Sequence, residues 1–243
     1  MINGIDKNVI YSLGLGPGDY ELITVKTKRI LEQSDVVIVP QSDELGRSVA
    51  KDIVSHYVSD EKIQMYYFPM NNKKEELSKR YTELAETIKT LLDSGKTVSY
   101  VSMGDPTLFS TSNYLTEKLN DIGIAIKHIP GISSINASSA LLGLSLASKG
   151  DNIGIYELSA KADINTERIN THSTVVFMKV HKKLNALIEA VKESAPDEAF
   201  LVQRVGLEGE NTVDLLKTSP DFDAAYLSLA IIKRKRFFTK SSG

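Results

Sequence analysis

The 243-residue sequence contains no cysteine and no tryptophan, and neither sign of charge dominates it. Without cysteine there is no disulfide, no thiolate metal ligand and no thiol nucleophile. The 29 Lys and Arg residues nearly balance the 31 Asp and Glu residues, so no overall field attracts the protein to nucleic acid or to an anionic membrane. An ordinary enzyme that acts on a small molecule is the simplest expectation.

Long apolar runs are missing as well. No run approaches the roughly 18 residues of a membrane span, and the start, MINGIDKNVIYSLG, lacks a basic stretch followed by a long apolar one. No G-x-x-x-x-G-K-[ST] phosphate loop is present. We therefore expect a cytoplasmic protein without a classical ATP site.

The sequence does contain three turns rich in glycine and proline, each at the end of an apolar, strand-like run. They lie in Val9–Asp19 (VIYSLGLGPGD), Thr97–Ser110 (TVSYVSMGDPTLFS) and Ile126–Ser134 (IKHIPGISS). Ligands of open α/β sheets bind outside the carboxyl ends of the strands, where these turns fall. The spacing therefore predicts one nucleoside-like ligand. The first turn begins like a dinucleotide fingerprint, but Pro17 breaks the pattern and disfavours an NAD site.

Strand-like runs alternate with helical periodicity along the chain. Up to residue 130 this repetition predicts a mainly parallel sheet that is covered on both faces. Beyond residue 130, short connections appear beside the helices and predict a mixed sheet. We expect two α/β domains, 1–130 and 131–243, with the ligand in the cleft between them.

The individual elements follow from the same patterns. The predicted strands are Val9–Leu15, Asp35–Pro40, Ile63–Phe68, Thr97–Met103, Ala125–Ile129, Asn152–Leu158, Thr174–Val180, Phe200–Val205 and Tyr226–Lys233. The predicted helices are Ile23–Gln33, Leu45–Tyr57, Lys73–Leu92, Leu108–Leu119, Ser134–Leu144 and Lys182–Ser194. In the first helix, Val25, Ile30 and Leu31 are expected on one buried face.

Taken together, three segments resemble the tetrapyrrole (corrin/porphyrin) methylase family: GLGPGDYELITVKTKRILEQSDVVIVP, SMGDPTLFSTSNYL and IPGISSINASSALLGLSL. The resemblance implies methyl transfer from S-adenosylmethionine to a tetrapyrrole, the two-domain fold and a homodimer. Gly104–Ser110 and Val205–Glu210 most resemble the C20-methyltransferases of cobalamin synthesis, which act on precorrin-2 or on its cobalt complex, cobalt-factor II. Ser133–Leu146 resembles the enzymes that act after early cobalt insertion, so cobalt-factor II is the expected substrate.

The resemblance also implies a cofactor site where the family's motifs match. Gly104 would let the backbone approach the cofactor, and Asp105 would accept a hydrogen bond from its ammonium group or a ribose hydroxyl. Ser133 and Ser134 would open a helix whose N-terminus suits a carboxylate. The complete implied set is Pro17, Met103, Gly104, Asp105, Ser133, Ser134, Met178, Val205 and Ala230.

Each of these residues also has a purely structural interpretation. Asp105 suits the N-cap of a helix that starts near Pro106, and the serine pair suits a second N-cap. The three residues of the second domain read equally as β-core.

Methyl transfer from S-adenosylmethionine needs little help from side chains, because a sulfonium methyl group is already a good electrophile. An in-line displacement needs mainly alignment and exclusion of water, so no catalytic residue is assigned and no metal ligand is expected. The ring carbon must then lose a proton, for which a carboxylate, tyrosine or histidine would serve. The candidates are Asp105, Tyr114, His128 and Tyr226.

The macrocycle carries several carboxylates, which cations would bind. The candidate cations are Arg47, Arg80, Lys179 and Arg204, with solvated surface charge as the alternative for each.

Other functions stay open at this point. Within the family they are C20 methylation of metal-free precorrin-2, and methylation of another tetrapyrrole or a diphthine-type target. From a different class, a nucleotide-binding regulatory module would keep the fold without the chemistry. The balanced charge argues against the ribosomal-RNA methylases that resemble the same family.

Overall fold

The structure is a computed structural model, which describes residues 6–41, 48–68, 74–218 and 227–234. It divides into two compact units, Met1–Ser134 and Ile135–Gly243. Within the described ranges, no helix is both long and apolar enough to cross a membrane.

The first unit is built on a five-stranded parallel sheet, as predicted. The strand order is β3-β2-β4-β1-β5, so β1 lies between β4 and β5. All six residues of β1 are buried, which explains its continuous apolar run: both faces of the sheet are covered. The strands are β1 (Val9–Gly14), β2 (Val36–Gln41), β3 (Ile63–Tyr67), β4 (Val98–Ser102) and β5 (Ala125–Ile129).

Helices pack on the two faces of this sheet and form two separate cores. One core joins Leu13 and Val101 of the strands to the first two helices, and the other joins Ile10 and Tyr100 to the next two. The helices are α1 (Val25–Gln33), α2 (Val49–Ser55), α3 (Lys74–Asp93) and α4 (Ser112–Asp121), and α5 (Ser134–Leu141) starts at the last residue of the unit.

Helix α1 shows where the pattern analysis was wrong about a face. Val25 was expected to be buried but is 85% exposed. Thr27 takes its place beside Ile30 and Leu31, because positions three and four apart share a helix face and Val25 lies off that face. The Thr24 side chain caps this helix by accepting the Thr27 N–H at 3.1 Å.

The second unit contains the predicted mixed sheet, in the order β6-β7-β10-β8-β9. Strands β6 and β7 are parallel, and β10 runs antiparallel to both β7 and β8. The strands are β6 (Ile153–Glu157), β7 (Thr174–Met178), β8 (Glu198–Gln203), β9 (Asn211–Asp214) and β10 (Ser228–Lys233), and the helices are α6 (Ala162–Thr171) and α7 (Leu184–Ser194).

Two of these elements were not predicted. Helix α6 buries the polar Asn165 and Thr166 beside Ile169, so it lacks a clear apolar stripe. Strand β9 is a short polar edge strand, which gives no alternating signal.

Candidate functional site

The first and second glycine turns are joined by their backbones. The Gly104 N–H donates to the Gly16 carbonyl at 2.6 Å, and the Gly16 N–H donates to the Gly104 carbonyl at 3.3 Å. The Leu15 N–H also donates to the Ser102 carbonyl at 2.9 Å. Because β1 and β4 are neighbouring parallel strands, both turns leave the same edge of the sheet, and these bonds hold them in register.

The third turn contacts the other two through glycine. A Cβ atom on Gly131 would lie 2.2 Å from the Gly104 carbonyl oxygen and 2.8 Å from the Gly14 Cα atom. A Cβ atom on Gly14 would lie 2.5 Å from the Gly131 nitrogen. At Gly14 and Gly131 the space that a side chain would take is therefore filled by the backbone of a neighbouring turn.

Gly104 differs from these two glycines. Its φ is +68°, a conformation that favours glycine, and among the described residues beyond its chain neighbours a Cβ atom there would have one heavy atom within 4 Å, the Ser134 nitrogen at 4.0 Å. That nitrogen belongs to the first residue of α5. Gly104 therefore presents an open surface beside a helix N-terminus.

Asp105 holds the second and third turns together. One carboxylate oxygen accepts the Gly131 N–H at 3.1 Å, and the other accepts the Thr107 N–H at 2.8 Å and the Thr107 hydroxyl at 2.5 Å. The N-cap interpretation of Asp105 is wrong, because no helix follows Pro106. The chain turns through Phe109 at a φ of 50°, and α4 starts only at Ser112.

The electrostatics of Asp105 favour its charged form. Partial burial raises the pKa of this carboxyl, but hydrogen bonds from Thr107 and Gly131, helped by the nearby charge of His128, outweigh it and leave the pKa below its ordinary value. A lowered pKa means that Asp105 contributes stability above its unfolded-state pKa, and that this contribution is lost as pH falls through the folded-state value. At neutral pH the second and third turns are therefore held together by a carboxylate.

The other implied residues of the first unit surround this junction. Pro17 is buried next to the bridged Gly16, and the partly buried Met103 side chain packs against the core of α1 and α2. Ser133 and Ser134 are partly buried and lie at the start of α5, where the serine-pair prediction placed a helix.

The implied residues of the second unit meet at one end of its sheet. Met178 ends β7, and Ala230 pairs with its neighbour Phe177. Val205 was predicted within a strand but follows β8, in a turn tied to the start of β10 by the Arg204 N–H, which donates to the Leu227 carbonyl at 3.0 Å. Ala230 is fully buried in the core, so its side chain has a packing role.

The candidate cations differ in how far they are engaged. Arg80 donates to the Tyr67 carbonyl at 3.0 Å and lies over the Tyr66 ring, which favours a structural role. Lys179 pairs with Glu157 at 3.4 Å, and the Arg204 side chain donates to the Glu208 carbonyl at 2.7 Å. Arg47 lies outside the described residues.

The candidate proton acceptors also differ in their exposure and position. Tyr114 is 53% exposed, whereas His128 is partly buried on β5, two residues before the third turn begins at Pro130. Tyr226 lies outside the described residues.

Thr107 and the buried hydroxyls of β1 and β4 were missed from sequence. Serines inside otherwise apolar strands, such as Ser12 and Ser102, are the signal that was available for the hydroxyls.

Comparison with known proteins gives relatives over almost the whole chain. Residues 9–218 match the family described as tetrapyrrole (corrin/porphyrin) methylases. A probable cobalt-precorrin-2 C(20)-methyltransferase from Methanocaldococcus jannaschii is 35% identical, covering 93% of this chain and 96% of that protein. A cobalt-precorrin-2 C(20)-methyltransferase from Salmonella typhimurium is 27% identical, covering 93% and 96%. A precorrin-2 C(20)-methyltransferase from a Sinorhizobium species is 27% identical, covering 95% and 97%.

Solved structures agree on the fold. The chain is similar to a cobalt precorrin-4 methyltransferase, with a TM-score of 0.71 at 18% identity over 93% of this chain and 95% of the other. It is also similar to a uroporphyrin-III C-methyl transferase from Thermus thermophilus that was crystallised with S-adenosylhomocysteine, with a TM-score of 0.66 at 20% identity over 93% and 97%.

Proposed function

The chain belongs to the tetrapyrrole (corrin/porphyrin) methylase family, and from that premise we propose that it transfers the methyl group of S-adenosylmethionine to C20 of the cobalt complex of precorrin-2 in cobalamin biosynthesis. The observation that carries the proposal is the 35% identity, over nearly the full length of both chains, to a relative named for that reaction. The two C(20)-methyltransferases with cobalt in their names support the metal-containing substrate over the metal-free one.

The first unit fits the amino-acid portion of S-adenosylmethionine. The open surface of Gly104 lies beside the Ser134 N–H, and the first amides of a helix have no partner within that helix. A carboxylate accepts such hydrogen bonds and is favoured by the positive end of the helix dipole. We assign the carboxylate to this position and the ammonium group to Asp105 Oδ2, which accepts only the Gly131 N–H among the described residues, whereas Oδ1 already accepts two hydrogen bonds from Thr107.

The bound cofactor supplies an electrophilic methyl group on a positively charged sulfur. The chain has to hold the two reactants in line and keep water out, which requires rigid turns rather than an acid or base at the moment of transfer. The backbone bonds between Gly16 and Gly104 and the Asp105 contact to Gly131 supply that rigidity. A proton must afterwards leave C20, because the carbon keeps its place in the conjugated ring.

The rest of the sequence-based prediction stays part of the proposal. Met178, Val205 and Ala230 are assigned to the adenine, through backbone groups in the case of the buried Ala230. Lys179 and Arg204 remain candidates for the carboxylates of the macrocycle. The homodimer and the cytoplasmic location are expectations from the family resemblance and from the sequence.

The cofactor assignment predicts selective binding. S-adenosylhomocysteine should bind with measurable heat in calorimetry and should raise the melting temperature, because a ligand present at 100 times its Kd stabilises the native state by about 2.7 kcal/mol. NAD and ATP at the same concentration should leave the melting temperature unchanged. Binding of NAD without binding of S-adenosylhomocysteine would overturn the cofactor assignment.

A further inference from the structure

Four polar side chains lie together under the glycine turns, on the face of the first sheet that α3 and α4 cover. They are Ser12 of β1, Tyr100 and Ser102 of β4, and His128 of β5. Side chains alternate along a strand, and these four share the face of Ile10, Val98 and Ile126, which belong to the α3 and α4 core. Ser12 is the register partner of both Tyr100 and His128, so the four residues, here called the polar cluster, are neighbours across three strands.

The polar cluster contains buried atoms that the protein leaves without hydrogen bonds. Ser12 Oγ, Ser102 Oγ and His128 Nδ1 have no partner in hydrogen-bond geometry among the described residues, whereas Tyr100 OH has the Thr111 side chain beside it. Ser12 and Tyr100 are fully buried, and Ser102 is 6% exposed. Burial raises the pKa of Tyr100, an effect that its neighbour Tyr81 increases and Thr111 only partly offsets, so its hydroxyl is neutral and able to donate.

Buried polar atoms that lack a protein partner are commonly satisfied by internal water. Leaving one buried donor or acceptor unpaired costs about 1–3 kcal/mol, so three at neighbouring positions are not sustained by packing alone. Buried waters typically make about three hydrogen bonds to such groups. Internal water at this place would bond to Ser12, Ser102 and His128 together.

The polar cluster is connected to the proposed site. Ser102 precedes Gly104 by two residues, and His128 is close enough to Asp105 to lower the pKa of that carboxyl. The imidazole is partly exposed while its Nδ1 is buried. His128 therefore joins the surface at the glycine turns to the buried hydroxyls.

On the premise of the proposed function, we propose that His128, bonded to the water held by the polar cluster, receives the proton that leaves C20. The ring π pair forms the bond from C20 to the methyl carbon, and the sulfur keeps the electron pair of the bond that breaks. The C20–H bond then breaks, its pair returns to the ring, and the imidazole takes the proton while the internal water stays bonded to Nδ1. The imidazolium afterwards releases the proton to solvent, because His128 is partly exposed. No other reactant is needed, and the role is that of general-base catalysis.

The kinetic test compares His128→Gln with His56→Gln, which removes an exposed histidine from the same unit. His128→Gln should lower kcat about 100-fold with KM nearly unchanged, a usual loss for a missing general base. It should also introduce a primary isotope effect with substrate deuterated at C20, because proton loss becomes limiting. Added imidazole should restore part of the rate, and His56→Gln should behave like the wild type.

Three results keep this inference separate from the proposed function. Wild-type protein that methylates no tetrapyrrole refutes the proposed function. Methylation by the wild type, with His128→Gln retaining kcat and showing no isotope effect, refutes the role of His128 alone. If His128→Gln does not fold, a crystal structure of the wild type decides: ordered water bonded to Ser12 Oγ and His128 Nδ1 supports the inference, and density without water overturns it.

Discussion

Replacing Gly131 with alanine should destabilise the first unit by roughly 3 kcal/mol, the upper end of the usual cost of overpacking. The added Cβ atom would lie 2.2 Å from the Gly104 carbonyl oxygen and 2.8 Å from the Gly14 carbonyl carbon. Both neighbours are backbone atoms held by strand ends, so no flexible side chain can move away. Urea unfolding monitored by circular dichroism measures the loss.

Gly123→Ala is the control for this substitution. Gly123 has a φ of +76°, and a Cβ atom there would have no neighbour within 4 Å in the part of the chain that the structure describes. The control therefore carries only the cost of the left-handed conformation, about 1–2 kcal/mol. If Gly131→Ala loses no more stability than Gly123→Ala, the close contact of the three turns is not what holds this edge of the sheet.

Replacing Gly104 with valine should weaken binding of S-adenosylhomocysteine about 100-fold, which corresponds to roughly 2.7 kcal/mol. The side chain would project from Gly104 into the open surface beside the Ser134 nitrogen, where the proposal places the amino-acid portion of the cofactor. Gly104→Ala should weaken binding less, because it adds one methyl group in the same direction. Isothermal titration calorimetry measures both affinities.

The matched control is Gly123→Val, which puts the same side chain at a similar positive φ and away from the site. Gly123→Val should lose stability as Gly104→Val does, because a β-branched residue is strained at a positive φ. The folded Gly123→Val protein should nevertheless bind S-adenosylhomocysteine with the affinity of the wild type. Gly104→Val that folds and binds like the wild type would make the second turn purely structural.

Much of the fold could be predicted because buried parallel strands have a clear apolar signal. Ala125–Ile129 was predicted at its observed bounds, and Lys73–Leu92 lies within one residue of the observed Lys74–Asp93 at each end. The start of α4 could not be predicted, because Asp105-Pro106 looks like a helix start, whereas the Asp105 side chain bonds to Thr107 and to the distant Gly131.

The convergence of the three turns could be predicted from sequence, and their packing only in part. The turns at Gly16, Gly104 and Gly131 follow neighbouring parallel strands, whose ends meet at one edge of the sheet. Their backbone-to-backbone contact depends on residues about ninety and thirty positions apart, which local patterns do not report. Met178, Val205 and Ala230 read as ordinary core residues, so their assignment depended on the resemblance alone.

The most direct test of the central claim is methylation of a defined substrate. The protein is incubated with S-adenosylmethionine and either the cobalt complex of precorrin-2 or metal-free precorrin-2, and the added methyl group is located by mass spectrometry and NMR. The account predicts one methyl group at C20 and a higher kcat/KM for the cobalt complex. A preference for the metal-free ring of more than about tenfold, equal to ~1.4 kcal/mol, would contradict the cobalt assignment, and a methyl group at another carbon would contradict the C20 assignment.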